Sequence, residues 1–92
     1  MDKISIIVPC YNEQEAIPIF YDAIMKTAAE MPEARLEVLF VNDGSKDASL
    51  SEMKRLAEQD DHVKYVSFSR NFGKEAAMYA GLSYADGDYV AI

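Results

Sequence analysis

The sequence predicts an α/β domain built on a mainly parallel sheet, and three observations lead there. Short apolar, β-branched runs alternate with segments whose apolar residues recur at every third or fourth position. The short runs are almost continuously apolar, as strands covered on both faces are. The helical segments between them are long enough to cross the sheet and return in the same direction, which makes the crossovers right-handed and the strands parallel.

Each element follows from its residues. Ile4-Ser5-Ile6-Ile7-Val8 is the first strand, closed by Pro9. Ile17, Phe20, Tyr21, Ile24, Ala28 and Met31 form the stripe of a helix with one buried face. Asn12 suits its cap, Glu15 stands three residues on in the capping-box position, and Pro32 marks its end. Leu36 to Val41 is the second strand. Leu50, Met53, Leu56 and Ala57 give a shorter helix, with Ser45 or Asp47 as its cap. Val63 to Phe68 is the third strand, with Tyr65, Val66 and Phe68 as its bulky members. A third helix is expected from Lys74 to Ala85, packing through Ala76, Ala77, Ala80 and Tyr84. Asp86-Gly87-Asp88 reads as a turn, and Tyr89 to Ile92 begins a fourth strand. The chain stops inside that strand, which suggests a domain truncated after the start of its fourth strand.

Composition bounds the function. A chain of 92 residues makes one small domain, and no linker, repeat or low-complexity stretch divides it. Half of it is apolar and 27% charged, a globular rather than a disordered balance. Nine Lys and Arg stand against sixteen Asp and Glu, a net charge of -7. That charge opposes broad binding to nucleic acid or to an anionic membrane, yet leaves room for a local anion site at a helix N-terminus. One cysteine, Cys10, excludes an internal disulfide and a Cys-rich metal site, and favours a cytosolic setting. Met1-Asp2-Lys3 runs straight into a strand without signal-peptide architecture. No apolar run approaches the roughly 18 residues of a membrane span.

In a parallel sheet every strand-to-helix loop lies beyond the carboxyl ends of the strands, where open α/β folds bind ligands at a reversal of strand order. The unusual residues collect in these loops. Pro9-Cys10-Tyr11-Asn12-Glu13 offers a ring to stack on a base and a carboxylate to accept hydrogen bonds; Asn and Glu equally suit a helix start. Asn42-Asp43-Gly44-Ser45 reads as an Asp-Gly turn with a capping serine, or as the place where Asp43 joins Glu13 in a nucleoside pocket. In Ser69-Arg70-Asn71-Phe72-Gly73-Lys74 two cations flank a glycine at a helix N-terminus. That pattern suits a diphosphate, although solvated loop charges would look the same. Neither G-x-G-x-x-G nor a Walker-type glycine loop is present, which disfavours a dinucleotide site and a P-loop. His62 reads as a turn residue and Cys10 as a packed strand-end thiol rather than a nucleophile.

At these residues the chain resembles a known family. IIVPCYNE, LFVNDGSKD and FSRNFGKEAAMYAGLSYADGDYVAI are similar, in order and spacing, to the start of family 2 glycosyltransferases with the GT-A fold (nucleotide-diphospho-sugar transferase, Rossmann-like). The last stretch looks most like the subgroup that loads a sugar onto a polyprenyl phosphate, the dolichyl-phosphate sugar synthases and bactoprenol glucosyltransferases. The resemblance implies that residues 1–92 are the N-terminal, nucleotide-binding part of a single GT-A catalytic domain. Pro9, Tyr11 and Glu13 would contact the nucleoside, and Val41 and Asp43 would close the pocket; Arg70 and Lys74 match basic positions of the subgroup's R-N-x-G-K block, and their place in the third loop leads us to expect them at the donor phosphates. Asn42 departs from the family's more frequent aspartate.

The same resemblance implies a nucleotide-sugar donor, with UDP favoured by the RNFGKEAA block, and a polyprenyl phosphate or glycan acceptor. It implies Mg²⁺ or Mn²⁺ held by a D-x-D beyond Ile92; Asp86-Gly87-Asp88 has that form but precedes its strand, on the wrong edge of the sheet. No catalytic residue is assigned within the 92 residues, which alone are expected to be inactive. The full-length protein is expected at the cytoplasmic face of the membrane, and an open sheet edge makes self-association of this piece an expectation. A sugar-phosphate nucleotidyltransferase would want a glycine-rich, basic first loop in place of PCYNE. A receiver-type flavodoxin-like domain would want a phospho-acceptor aspartate after the third strand, where Ser69-Arg70 stands.

Overall fold

Seven elements alternate along the chain: β1 (Asp2–Cys10), α1 (Ala16–Glu30), β2 (Ala34–Asn42), α2 (Ser49–Gln59), β3 (Val63–Ser67), α3 (Lys74–Tyr84) and β4 (Tyr89–Ala91). The structure is a computed structural model that describes residues 2–85, 87 and 89–91. All pairings are parallel, in the order β3-β2-β1-β4. The Asp86-Gly87-Asp88 turn rests on Asp86 and Asp88, which lie outside the described residues, as does Ile92.

Strand alternation sorts the apolar residues onto two faces. Cys10, Val38, Phe40 and Val63 pack with Ile17 of α1 and with Met53 and Leu56 of α2. Ile7, Leu39 and Val41 pack on the other side against Ala77 of α3. The result is a three-layer sandwich in which each fully buried large side chain contributes about 1.5–3 kcal/mol. Helix α3 lies so close to β1 that a Cβ on Gly81 would overlap Ile7 Cγ2. Its apolar stripe therefore runs through Ala77 and Gly81, and Tyr84, expected on the packing face, is 64% exposed. Likewise Phe20 of α1 is exposed, while Met25 joins Tyr21 and Ile24 against the core.

Boundaries differ from expectation where the chain makes contacts distant in sequence. Pro9 does not close β1, which runs on to Cys10 with Pro9 opposite Val41. The carbonyl of Cys10 accepts the Asp43 N–H at 2.8 Å, so residue 10 turns its backbone groups towards β2. Pro9, one residue earlier, turns its donorless nitrogen the other way, towards the β4 side, where pairing runs from Ile4 to Ile6 among the described residues. Among the described residues, proline there costs no ladder bond.

Below the reach of α3, the same sheet face turns polar. Glu37, 3% exposed, accepts the Ser5 hydroxyl at 2.8 Å, and its other oxygen lies 2.6 Å from Lys64 Nζ and 3.6 Å from Lys3 Nζ. Ser5 Oγ in turn accepts the Gly87 N–H at 3.0 Å. A buried carboxylate is tolerated only with such partners.

Candidate functional site

From β1 the chain steps outward through β2 to β3, then returns past β2 and β1 to place β4 on the other flank. The order thus reverses at β1, and the returning element is α3. Its packing against Ile7, Leu39 and Val41 brings its first residue, Lys74, to the carboxyl ends of β1 and β2. There a cleft of about 200 Å³ is lined by Pro9, Cys10, Tyr11, Glu13, Asp43 and Lys74.

The first two loops are sewn together by side chains that reach across to backbone N–H groups. Asn12, in the left-handed region with φ 53°, donates its N–H to Ser45 Oγ at 2.9 Å, and its Oδ1 accepts the Lys46 N–H at 2.8 Å. The Glu13 N–H donates to Ser49 Oγ at 2.9 Å, the Gln14 N–H to Asp47 Oδ2 at 3.2 Å, and the Ala48 N–H to Gln14 Oε1 at 2.9 Å. Neither α1 nor α2 has a side-chain cap at its own N-cap position, Glu15 or Ala48. The capping box of Asn12 and Glu15 and the Ser45 cap are therefore not formed, because Asn12 and Ser45 bond each other's loop instead. Asp47 comes nearest to its expected role, since Oδ1 accepts both the N–H and the hydroxyl of Ser49, at 2.9 and 2.6 Å. These bonds, led by the Ser49 hydroxyl, hold its carboxyl below the usual carboxylate range.

The consequence for Glu13 is specific. Its N–H is held by Ser49, and its carbonyl accepts the N–H groups of Ala16 and Ile17 at 3.0 Å each. Its carboxylate makes no hydrogen bond among the described residues and faces the cleft.

Asp43 is the opposite case. Only 3% exposed, its carboxylate accepts the Phe72 N–H at 2.8 Å, the Gly73 N–H at 3.1 Å and Asn71 Nδ2 at 3.1 Å. Asn71 Nδ2 also donates to the Asp43 carbonyl at 3.1 Å. Gly44 has φ 69°, and a Cβ there would overlap the backbone of Arg70 and Asn71. Loops two and three thus touch backbone to backbone. Phe72 meets Phe68 edge to face at 5.6 Å, and the Arg70 guanidinium lies 4.8 Å above the Phe72 ring.

The fold brings Pro9, Tyr11, Glu13, Asp43 and Lys74 together and leaves Val41 and Arg70 out of the cleft. Val41 shares the face of Leu39, so strand alternation sends its side chain into the α3-side core, where it is fully buried. Arg70 places its guanidinium over the Phe72 ring. Cys10 is a packed thiol as expected: burial, with a smaller push from Glu13, raises it to about 12. His62 sits at the turn before β3, its Nδ1 2.8 Å from Asp60 Oδ1. What sequence reasoning missed is the wiring of Asn12, Ser49 and Asn71; the one available signal was the density of Asn, Asp and Ser around Gly44.

A divalent cation does not fit these residues. Of the two cleft carboxylates, that of Asp43 is turned to N–H donors, and no cluster of three or more His, Cys, Asp or Glu suited to a metal occurs among the described residues.

Residues 5–92 match the family described as Glycosyl transferase family 2. The chain is 50% identical over 88 residues to the prophage bactoprenol glucosyl transferase homolog of Escherichia coli K12, covering 96% of this chain and 28% of that protein. It is 35% identical over 91 residues to the undecaprenyl-phosphate 4-deoxy-4-formamido-L-arabinose transferase of Proteus mirabilis, covering 98% and 28%. Among solved structures it is similar to the mannosyltransferase PcManGT of Pyrobaculum calidifontis in complex with GDP-Man and Mn²⁺. There the TM-score is 0.81 and the identity 30%, over 97% of this chain and 26% of that one. The chain thus spans between a quarter and a third of the length of these relatives.

Proposed function

This chain belongs to glycosyl transferase family 2, with the α/β GT-A fold, and from that premise we propose that its strand-end cleft holds the nucleotide of a nucleotide sugar. The protein that contains it would transfer the sugar to a polyprenyl phosphate. The observation that carries this reading is the convergence of Tyr11, Glu13 and Lys74 on one cleft at the reversal of strand order. Tyr11, 43% exposed, offers its ring for stacking on the base beside Pro9. Glu13 offers an unshared carboxylate to ribose hydroxyls or a base N–H. Lys74, the first residue of α3, offers an ammonium to the phosphates near a helix N-terminus. Asp43 completes the cleft wall.

Relatives named for bactoprenol and undecaprenyl phosphate support the choice of acceptor. UDP is the favoured nucleotide, on the RNFGKEAA block. In the reaction an acceptor phosphate oxygen bonds to the anomeric carbon as the bond from that carbon to the diphosphate breaks, and the nucleoside diphosphate leaves. The described residues supply the donor pocket; Mg²⁺ or Mn²⁺, with its ligands, belongs to residues outside them. We place the whole protein at the cytoplasmic face of a membrane. No helix among the described residues is long and apolar enough to cross one.

Calorimetric titration with UDP and GDP tests the pocket. UDP should bind, and Glu13→Ala should weaken it about tenfold, the size of one lost hydrogen bond to a charged group. Equal binding by wild type and Glu13→Ala would sink the assignment.

A further inference from the structure

We propose that Ser49, braced by Asp47, is a positioning residue for the nucleoside: from the first turn of α2 it holds the backbone of Glu13 and so keeps that carboxylate on the cleft. The proposal rests on the reading of the cleft as a nucleotide site. Neither Ser49 nor Asp47 lines the cleft. Ser49 is fully buried, and a hydroxyl shut away from water must find partners inside the protein. It donates to Asp47 Oδ1 at 2.6 Å and accepts the Glu13 N–H at 2.9 Å. Ser49 stands where α2 begins, yet the N–H it accepts belongs to the loop before α1, 36 positions away. The hydroxyl thus ties one loop to the other rather than capping its own helix.

The first loop needs such a hold. Residues 11–15 join β1 to α1 and belong to neither. Asn12 has φ 53°, a region in which any residue with a Cβ is strained, so this course must be imposed from outside. Asp47 adds a second tie, its Oδ2 accepting the Gln14 N–H at 3.2 Å. Two consecutive N–H groups of the loop are therefore gripped from the start of α2. On the other side, the Glu13 carbonyl accepts the Ala16 and Ile17 N–H groups at 3.0 Å each. With both backbone groups tied, Glu13 has only its side-chain torsions left to order when a ligand arrives, which lowers the entropic cost of binding. The anchor is firm, because Met53 and Leu56 fix α2 in the core.

Calorimetric titration with uridine and UDP reads the grip. Ser49→Ala should weaken both ligands alike, by about threefold to fivefold, because Glu13 serves the nucleoside that they share. Added to Glu13→Ala, which removes the group being positioned, Ser49→Ala should cost nothing more. Ser49→Thr keeps the hydroxyl and should bind within about twofold of wild type. Ala57→Gly weakens α2 without touching these groups, and should lower the urea midpoint while leaving uridine affinity unchanged. Amide exchange at Glu13 should quicken in Ser49→Ala. If Ser49→Ala does not fold, Asp47→Asn, which turns a donor towards the Gln14 N–H on an exposed residue, reads the same pattern. Four results would overturn the positioning role while leaving the cleft a nucleotide site: unchanged uridine affinity in Ser49→Ala, an undiminished loss on the Glu13→Ala background, an equal loss in Ala57→Gly, or a Ser49→Thr variant with the wild-type urea midpoint that binds as poorly as Ser49→Ala. A wild-type protein that binds neither uridine, UDP nor GDP would overturn the cleft itself, and the positioning role with it.

Discussion

The two ends of the sheet use polar side chains in opposite ways. At the carboxyl end, Asn12, Asp43, Asp47 and Ser49 accept backbone N–H groups from neighbouring loops. At the amino end, Ser5, Glu37, Lys3 and Lys64 bond mainly to one another on the sheet face. The first arrangement fixes the course of the chain and leaves Tyr11, Glu13 and Lys74 available to a ligand. The second pairs its own charges around the buried Glu37 carboxylate. Polar density alone does not make a site; what matters is whether the polar groups hold backbone or hold each other.

The sharpest way to break this contrast is at Gly44. Gly44→Ala forces a Cβ into the Arg70–Asn71 backbone at a positive φ, and should cost about 3 kcal/mol in the urea midpoint. UDP affinity should fall with it, since loops two and three part. A variant with unchanged midpoint would show that the loops do not depend on one another.

At the other end, Glu37→Gln should cost about 1–2 kcal/mol, because Ser5 and the partly exposed lysines lose a charged acceptor but not all contact. It should leave UDP affinity unchanged. A loss of binding there would erase the distinction between the two ends.

A smaller effect concerns acid. The Asp47 carboxyl is held below its ordinary value in the folded chain. Its contribution is thus present above the unfolded value and lost as pH falls through the lowered folded one. Urea midpoints of wild type and Asp47→Asn should converge as pH falls, and a constant difference would remove Asp47 from the wiring of the first two loops. Smallest is the response of Cys10: with its thiol raised to about 12, iodoacetamide at neutral pH should label only the urea-unfolded protein.

The sheet and its crossovers were legible because periodicity is a local signal: three residues of β1 or four of α1 declare their element. The caps were not. Asn12 and Ser45, 33 positions apart, each looked like a helix cap, and only the fold shows them bonding across loops. The burial of Val41 on the α3 side was hidden for a related reason, since a strand apolar on both faces does not declare which face each residue takes. The cleft was legible through Tyr11, Glu13 and Lys74 because strand ends of a parallel sheet share one edge. The bonds of Asp43, to residues 28 to 30 positions away, were invisible.

Pro9 carries one more consequence. Along the β4 side of β1 every second residue offers an N–H and a carbonyl, and at Pro9 only the carbonyl remains, so the row of teeth has one gap. That gap lies at the level of the cleft, which Pro9 lines, and it is set by the covalent structure of one residue. Of the backbone groups beside the cleft on that side, Pro9 can only accept, so any neighbouring group must come to it as a donor.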